Sequence, residues 1–374
     1  MQQNIPSHIY IKKGFNIAQD TNFTVEGFFL LTNTLLNCAL VQLTPTITMN
    51  ITRGILVFHL GSDAIIQGKS VLSTEQWHHF AFVYDAIQQR GRIFIDGVLD
   101  ATYDSVTPEV DSGTSNSSVI VGADFQGYID QLSVVLRAKT PAEILWDATT
   151  IVYYPLDIRS EYDKGPNGIN GTRSNVEITT AWLGTALNFN SSISFYRTGK
   201  LTALGIPRQA FTIALWLRAE ARAGVFLTVT NPYTCLLVLA LQNETNKPIA
   251  FLPNDADPAK AVSIEGRKMP PYNWVHVAFT WSDQHGAILY TSGFVQGKNR
   301  EATTLNNDSH GNISLPMTIT LGHYDGPANC GNIAGVNVSD QFMGSLDELY
   351  VFSRELPQAE VNETLTPPPK CSIN

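Results

Sequence analysis

Histidines at matching positions are the residues of this sequence that most suggest chemistry. His79 and His276 occupy the same place in two similar segments, residues 77–84 and 274–281. Neither has a Cys, an Asp or a second His at metal-ligand spacing, and neighbouring strand residues such as His78 and His79 face opposite ways. We therefore interpret His79 and His276 as buried core histidines.

Hydrolysis would need a catalytic constellation that the sequence does not contain. Glycosidases use two carboxylates that face one cleft. No Glu-x-Asp-x-x-Glu arrangement occurs, and Asp347 and Glu348 are adjacent, so a strand would place them on opposite faces. Gly-x-Ser-x-Gly, His-Glu-x-x-His and phosphate-loop motifs are also missing from the sequence. The sequence predicts a protein that is not an enzyme.

Asn-x-Ser/Thr sequons point to the secretory pathway, because the acceptor is used on exposed loops there. Their number is a clear excess for this composition. We predict glycosylation at Asn22, Asn50, Asn116, Asn170, Asn190, Asn243, Asn307, Asn312, Asn337 and Asn362. The predicted location is extracellular, either secreted or at the cell surface.

The four cysteines lack metal-ligand spacing and are too few for a disulfide scaffold. Cys330 lies in a loop rich in Gly and Asn, and Cys371 lies in the C-terminal tail, so we predict a disulfide between them. Cys38 and Cys235 stand in apolar runs and are interpreted as buried small residues.

Composition limits the classes of partner. Of the 374 residues, 44% are hydrophobic and 15% charged, and the net charge is −9. Clustered cations for nucleic acid are missing, and no apolar run is long enough to cross a bilayer, so we predict neither nucleic-acid binding nor membrane insertion. The N-terminus lacks the regions of a signal peptide, so a secreted chain is expected to be part of something longer.

An internal repeat organises the chain. Residues 77–84 match 274–281, the Phe-Thr pair at Phe23 matches Phe211, and the Gly-x-Ile/Leu-Asp segment at 127–130 matches 344–347. Three anchors in the same order indicate a duplicated domain. The second copy is longer, and its largest insertion lies within about residues 300–342.

Strands dominate the predicted elements. Trp77, His79, Ala81 and Val83 should face one side of a strand and the alternate residues the other, with both sides covered. Asp-Gly at residues 96–97 predicts a tight hairpin turn. Residues 140–143, Thr-Pro-Ala-Glu, form a capping box that predicts a short helix after the last strand.

These motifs predict two domains of unequal completeness. The predicted boundaries are residues 1–148 for a sandwich that lacks its opening strand, 149–366 for a complete sandwich with long loop insertions, and 367–374 for a tail. The second copy opens with a Tyr-Tyr-Pro-Leu-Asp segment at 153–157 that has no counterpart before Phe23. We expect the second copy to carry the ligand site.

The ordered motifs resemble the laminin-G-like jellyroll domains of the concanavalin A-like lectin/glucanase superfamily. That family opens with Tyr-x-x-Pro-Leu/Phe-Asp and continues with Phe-Thr-Ile, Trp-x-His-Val-Ala and an Asp-Gly hairpin. It closes with Gly-x-Ile-Asp-Glu-Leu, an Arg and a short helix. Residues 274–281 also look distantly like the pentraxin signature, which requires Cys where Ala278 stands. The resemblance implies an all-β fold of two tandem antiparallel jellyroll β-sandwiches, each ending in a short helix.

The resemblance also implies a calcium ion at the rim of the sandwich. It places the segments of Asp157, Asp163 and Asp347 near one another, and carboxylates are the ligands that Ca²⁺ prefers. The alternative is that Asp157 and Asp163 cap turns and that Asp347 pairs with an Arg. Asp325 and Asp340 of the insertion are a weaker alternative set of ligands.

Recognition without chemistry is the predicted function. Tyr324, Asp325 and Phe342 are the candidate ligand-binding residues, because sugar sites use exposed aromatic side chains and polar loop residues. The alternative is that their loop is an ordinary glycosylated loop. The predicted partner is a glycan or an extracellular protein. Other readings are an auxiliary or targeting domain pair of a larger enzyme or adhesin, and a spacer.

Overall fold

The computed structural model describes residues 8–11, 20–33, 37–61, 64–108, 119–158, 161–182, 184–220, 224–254, 257, 260–305, 315–324, 330, 333, 335–336 and 342–366. The chain divides into two compact units between Thr149 and Thr150, next to the predicted boundary. We call residues 1–149 unit 1 and residues 150–374 unit 2.

Unit 1 consists of two antiparallel sheets with a shared core. The strand orders are β1-β10-β3-β4-β5-β6 and β11-β2-β7-β8-β9. The strands are β1 (Ile9–Ile11), β2 (Phe23–Leu31), β3 (Cys38–Gln42), β4 (Ile47–Thr52), β5 (Ile55–Leu60), β6 (Ile65–Gln67), β7 (Trp77–Asp85), β8 (Arg90–Ile95), β9 (Val98–Tyr103), β10 (Val119–Val121) and β11 (Gly127–Val135). Helix α1 (Pro141–Thr149) follows β11.

Unit 2 repeats this arrangement with additional strands. The orders are β14-β15-β26-β17-β22-β23-β24, with β12 also paired to β26, and β13-β16-β25-β18-β19-β20-β21. The strands are β12 (Thr150–Tyr154), β13 (Thr172–Ser174), β14 (Glu177–Thr180), β15 (Thr185–Phe189), β16 (Phe195–Arg197), β17 (Phe211–Ala219), β18 (Gly224–Thr230), β19 (Cys235–Leu241), β20 (Pro248–Leu252), β21 (Val262–Glu265), β22 (Trp274–Ser282), β23 (Gly286–Thr291), β24 (Phe294–Asn299), β25 (Thr318–Leu321) and β26 (Gly344–Phe352). Helix α2 (Gln358–Val361) follows β26, and 3₁₀ turns lie at Ala203–Gly205 and Asn362–Leu365.

The predicted fold class is confirmed. The described part of each unit is a sandwich of two antiparallel sheets, and each sandwich ends in a short helix. Strand β7 shows why the sequence folds this way. Phe80, Phe82 and Tyr84 enter the core between the sheets, whereas Ala81 and Val83 pack on the other face in a cluster with Ile144 of α1. The predicted alternation of two covered faces is therefore correct.

Helix α1 begins with the predicted capping box. The Thr140 backbone N–H donates to Glu143 Oε2 at 2.8 Å, and the Glu143 N–H donates back to Thr140 Oγ1 at 3.2 Å. These two bonds satisfy N–H groups that have no partner inside the helix.

A threonine hydroxyl attaches the segment after the closing strand to the sheet in both units. Thr24 Oγ1 donates to Arg137 O at 2.8 Å and accepts from the Lys139 N–H at 3.0 Å. Thr212 Oγ1 does the same with Arg354 O at 2.8 Å and the Leu356 N–H at 2.9 Å. The same pair of bonds at matching positions supports the predicted duplication.

The closing strands β11 and β26 differ in what lies beside them. Strand β26 pairs with β17 on one side and with β12 and β15 on the other, and all of its residues are buried. Strand β11 pairs with β2, and the described residues supply no strand on its other side. Both contain an irregular register at the same place, with φ of +54° at Gln131 and +53° at Glu348.

The predicted disulfide is wrong. Cys330 is bonded to Cys235 of β19, so it cannot pair with Cys371, which lies outside the described residues. The physical reason is that β19 is covered on both faces. Cys235 points to the outer face, where Cys330, Ile333 and Val336 of the insertion form a small apolar cluster with it. The interpretation of Cys38 as a buried small residue is correct, and its thiol is free. The same interpretation is wrong for Cys235, which is buried but forms the disulfide.

Candidate functional site

A cleft of about 590 Å³ lies in unit 2 at the start of β22. Four parts of the chain line it: the tip of the β14–β15 hairpin, the segment between β21 and β22, the first two residues of β22, and the end of β23 with Ser292 of the turn and Gln296 of β24. The lining residues are Trp182, Arg267, Lys268, Met269, Pro270, Tyr272, Asn273, Trp274, Val275, Thr291, Ser292 and Gln296. Neither Asp nor Glu is among them.

Aromatic rings form one side of this cleft. Trp182 is 66% exposed and stacks on Trp216, with ring centroids 5.9 Å apart and planes 12° from parallel. Trp274 is half-buried, and the Arg218 guanidinium lies 5.6 Å from its ring centroid. Tyr272 is 61% exposed. Flat apolar faces of this size, held by neighbouring rings and cations, suit a ligand with its own flat apolar faces.

The segment before β22 is held firmly at several points. The Gly266 N–H donates to Pro248 O at 2.8 Å, and the Met269 N–H donates to Asn246 O at 3.0 Å. The Met269 side chain is buried in the main core of unit 2. The Tyr272 N–H donates to Ala219 O at 2.7 Å with Tyr272 at a φ of +63°. These bonds leave the exposed side chains of residues 267, 268, 270, 272 and 273 pointing out from an ordered backbone.

Amide and hydroxyl groups complete the cleft. Gln296 Oε1 accepts the Arg267 N–H at 3.3 Å, and Gln296 Nε2 donates to Phe294 O at 3.2 Å. Asn273 and Ser292 are exposed, and Thr291 is half-buried. A few such polar groups around an aromatic surface are the usual composition of a small-molecule site.

The corresponding turn of unit 1 carries a different set of side chains. Its framework is the same, because the Glu75 N–H donates to Leu31 O at 2.8 Å with Glu75 at a φ of +61°. Here His78 Nε2 lies 2.8 Å from Ser73 Oγ, and His78 Nδ1 lies 2.9 Å from Asp96 Oδ2. The hydrogen bond to Asp96 raises the pKa of His78.

This Ser–His–Asp order is that of hydrolase triads, but here each bond also holds a turn. Asp96 Oδ1 accepts the His79 N–H at 2.9 Å, which fixes the hairpin turn, and the Asp96 side chain is 53% exposed. The Ser73 hydroxyl also lies 3.0 Å from Gln76 Oε1. A catalytic triad acts together with N–H groups that stabilise an oxyanion. The nearby Leu72 N–H is not free for that role, because it donates to Gly54 O. We interpret the network as structural. Nothing in the sequence indicated this network, because Ser73, His78 and Asp96 span 24 positions and match no known motif.

The recurring histidines lie in the sheet as interpreted. His276 is fully buried, with Nε2 2.9 Å from Thr364 Oγ1, and burial lowers its pKa to about 3. His79 is 3% exposed, and burial lowers its pKa to about 4. Both rings pack edge-on against an aromatic neighbour, Trp216 for His276 and Phe28 for His79. Both are therefore neutral at physiological pH.

The predicted metal ligands do not form a site. Asp163 accepts three backbone N–H groups, from Tyr153 at 2.9 Å, Gly165 at 2.7 Å and Ile169 at 3.0 Å. Asp157 accepts the Thr185 N–H and hydroxyl at 3.1 and 3.0 Å. Across the part of the chain that the structure describes, no three His, Cys, Asp or Glu side chains come close enough to hold a metal ion. The alternative, that these residues cap turns, is correct for Asp163, whose oxygens accept the N–H groups of the turn that follows it. Asp157 instead binds the first residue of β15.

Asp347 is 1% exposed and lies opposite Trp216 in the sheet. The weaker alternative ligands, Asp325 and Asp340, lie outside the described residues.

Of the predicted ligand-binding residues, the structure contradicts Phe342. Phe342 is fully buried, with ring centroids 6.0 Å from Phe226 and 6.5 Å from Phe189, so its role as an exposed platform is wrong. Tyr324 is partly buried against the apolar cluster around Cys330. Asp325 lies outside the described residues. A Trp at a hairpin tip and the Pro-Pro-Tyr-Asn-Trp run at 270–274 were the usable signals in the sequence.

Six of the predicted glycosylation sites are described. Asn170, Asn190 and Asn362 are exposed, and Asn22, Asn50 and Asn243 are half-buried. Asn50 lies within strand β4 and not in a loop. Asn116, Asn307, Asn312 and Asn337 lie outside the described residues. Glycosylation itself stays a prediction.

Comparison with known families identifies the fold. A laminin-G family model, described as the concanavalin A-like lectin/glucanases superfamily, matches residues 8–145 and again residues 195–362. The chain belongs to this family. The resemblance read from the ordered motifs is thereby confirmed, and this concanavalin A-like protein carries the family's domain twice. A search of curated protein sequences found no match.

Solved structures similar to this concanavalin A-like protein include one domain of an arabinanase and two toxin binding domains. Domain 4 of AbnA, an extracellular arabinanase from Geobacillus stearothermophilus, in complex with arabinotriose, is 17% identical, with a TM-score of 0.43 over 58% of this chain and 98% of that one. The binding domain of Paraclostridial Mosquitocidal Protein 1 is 15% identical, with a TM-score of 0.44 over 58% and 52%. The receptor binding domain of the botulinum neurotoxin C/D mosaic serotype is 14% identical, with a TM-score of 0.43 over 58% and 51%. The chain thus spans about half the length of the two toxin domains.

Within the described residues, no helix has the length and apolar character needed to cross a lipid bilayer.

Proposed function

We propose that this chain is a non-catalytic extracellular recognition module that binds saccharides in the cleft of unit 2. The observation that carries the proposal is the pair of accessible tryptophans, Trp182 and Trp274, in one cleft with exposed amide and hydroxyl side chains. A pyranose ring has apolar C–H faces and an equatorial rim of hydroxyls. Aromatic faces and amides meet those two requirements separately.

The rigidity of the tryptophans favours binding. Trp182 is stacked on Trp216, and Trp274 lies under Arg218, so both rings keep their orientation without a ligand. A ring that is already oriented loses little conformational entropy when the ligand arrives. Asn273 and Gln296 lie on the same lining and provide donors and acceptors for the hydroxyls.

An extracellular location is part of this proposal. A disulfide between Cys235 and Cys330 is stable in oxidising compartments, and the exposed sequons at Asn170, Asn190 and Asn362 agree with passage through the secretory pathway. The auxiliary-domain and spacer readings remain the alternatives, and binding by the purified chain separates the spacer reading from the proposal.

The test compares binding of a glycan array and of matrix proteins by three forms of the full chain: wild type, Trp274→Ala and Tyr233→Ala. Tyr233 is 66% exposed but does not line the cleft, so its variant is the matched control for loss of an accessible ring. We expect titration calorimetry with the best array ligand to show affinity at least about tenfold weaker for Trp274→Ala, a loss of about 1.4 kcal/mol. Tyr233→Ala should bind like wild type.

Two results would overturn the proposal. One is saccharide binding that survives in Trp274→Ala, which would place the ligand elsewhere. The other is the lack of any saccharide ligand, which would favour the spacer reading. Calcium assistance remains a prediction, and repeating the titration with EDTA checks it: EDTA-resistant binding would remove calcium from the function.

A further inference from the structure

We propose that the cleft selects saccharides that carry a carboxylate, such as uronate or sialate units, over neutral saccharides. This inference rests on the proposed function. It comes from the two adjacent cations, Arg267 and Lys268, that line the cleft beside its aromatic rings.

Both cations are accessible and have no acidic partner within the part of the chain that the structure describes. Their side chains are exposed, and among the described residues no carboxylate lies within ion-pair distance of either. The nearby Glu265 is engaged by Lys247 at 3.5 Å and by Gln242 Nε2 at 2.9 Å. The chain as a whole has an excess of acidic residues, with a net charge of −9. These two cations are therefore a local feature of the cleft, and their charge is opposite in sign to the net charge of the chain.

Unit 1 has a carboxylate at the position that Gln296 occupies in unit 2. There Asp100 Oδ1 accepts the Ser70 N–H at 3.0 Å, and Asp100 Oδ2 accepts the Lys69 N–H at 2.7 Å. In unit 2 the equivalent bond runs from the Arg267 N–H to Gln296 Oε1 at 3.3 Å. The cleft thus keeps the backbone contact but replaces the carboxylate by a neutral amide, which removes a charge that would repel an anionic ligand.

The chemistry of the two cations favours a carboxylate over a dense polyanion. A guanidinium offers a planar fork of N–H donors that matches a carboxylate in bidentate geometry. Two cations suffice for one anionic group per bound sugar unit, and the aromatic faces would take the ring that carries it. Densely sulfated chains are bound by larger basic patches, and the acidic surface of this chain opposes them.

The first experiment uses two pairs of saccharides, in each of which an acid is compared with its uncharged methyl ester. Oligogalacturonate with its fully methyl-esterified form is one pair. Sialyllactose with its methyl ester is the second pair, which separates uronate from sialate recognition. Titration of the full chain should give affinity at least about tenfold higher for the acid of one pair, with the difference shrinking as salt rises. Dextran sulfate is titrated in the same way, to compare binding of a densely sulfated chain with binding of the carboxylates.

Variants assign the effect to the cleft. Arg267→Gln with Lys268→Gln should abolish the preference, so that the acid and its neutral partner bind the variant with equal affinity. Arg267→Lys keeps the charge and loses the fork, so it should retain only part of the preference. Lys200→Gln removes an exposed cation that does not line the cleft, and it should behave like wild type. Thermal unfolding of each variant verifies that it is folded.

The outcomes distinguish this inference from the proposed function. Equal affinity for acid and neutral forms, together with sensitivity to Trp274→Ala, would overturn the inference and leave saccharide binding intact. Preference for dextran sulfate over both acids would overturn the carboxylate assignment. An acid preference that persists in the double variant would place the anion site elsewhere. Failure to bind any saccharide would defeat both proposals.

Discussion

The turn that precedes the Trp-x-His strand has the same backbone in the two units but different side chains. In unit 1, the His78 side chain is hydrogen-bonded to Ser73 and to Asp96, so the side chains of this turn bond to one another. In unit 2, the turn before Trp274 exposes Arg267 and Lys268 over a cleft. The comparison teaches that one duplicated backbone framework holds an internal hydrogen-bond network in unit 1 and cationic side chains that line a cleft in unit 2.

The two units also differ in how their buried parts are stabilised. In unit 1, Lys139 forms ion pairs with Glu26 of β2 and with Asp147 of α1. In unit 2, Ala214 stands at the position of Glu26 and Leu356 at the position of Lys139, and both are buried. Unit 2 instead has a disulfide that holds part of the insertion against β19. Stability is therefore expected to respond to different treatments in each unit.

The largest effect is expected from the disulfide. Cys330→Ala should lower the free energy of unfolding of unit 2 by about 4 kcal/mol, because the bond closes a loop of 95 residues in the unfolded chain. Dithiothreitol should shift the same calorimetric transition of wild type and leave that of unit 1 in place. Cys38→Ala is the control, since Cys38 is free. A reductant effect on unit 1 would contradict the comparison.

A buried cation comes next. Lys139→Ala should destabilise unit 1 by about 3 kcal/mol, because it leaves the buried Glu26 carboxylate without its cation. Chemical denaturation of the full chain measures the loss.

The matched control for Lys139→Ala replaces Glu26 and Lys139 by the residues that unit 2 has at the same positions. Glu26→Ala with Lys139→Leu should recover most of the stability, since an apolar pair replaces the ion pair and Asp147 stays partly solvated, with 38% of its side chain exposed. A double variant as unstable as the single one would show that the cluster does more than neutralise Glu26.

The third prediction transfers the unit 1 carboxylate into the cleft. Gln296→Asp should weaken binding of an acidic saccharide about fivefold, because the new charge lies beside Arg267 and repels the ligand. Gln296→Asn, which shortens the side chain without charging it, separates size from charge in the same titration. Equal losses in both variants would mean that the amide itself contacts the ligand.

The smallest effect concerns pH. The hydrogen bond that the His78 Nδ1–H donates to Asp96 raises the pKa of His78. Protonated His78 therefore stabilises unit 1 at pH values below the pKa of this histidine in the unfolded chain, and the contribution is lost as pH rises through its pKa in the folded chain. Asp96→Asn should lower the pKa measured by NMR titration. It should cost a few tenths of a kcal/mol at low pH and less above the folded pKa. A larger loss at high pH would reverse the assignment.

Local and repeated patterns predicted the fold well. The two covered faces of β7, the capping box at Thr140 and the order of the duplicated motifs are encoded over short distances, where side-chain periodicity and backbone hydrogen bonding decide the outcome. The family match follows from the same ordered motifs.

Long-range pairing decided what the sequence could not predict. Cys330 meets Cys235 because the insertion packs on the outer face of β19, and nothing near either cysteine encodes that contact. Asp163 resembles a metal ligand in the sequence, but backbone N–H groups take its oxygens. The cleft brings Trp182 together with residues about 90 positions further along the chain.

The irregular register at Asp130 in β11 has a consequence for contacts between molecules. In unit 2 the matching irregularity lies inside a sheet, covered by β12 and β15. In unit 1 it lies in a strand whose second edge meets no other described strand. A kinked edge cannot present an unbroken row of N–H and C=O groups to a strand from another copy. The same irregular register that lies inside a sheet in β26 therefore makes the edge of β11 unsuited to pair with a strand of another molecule.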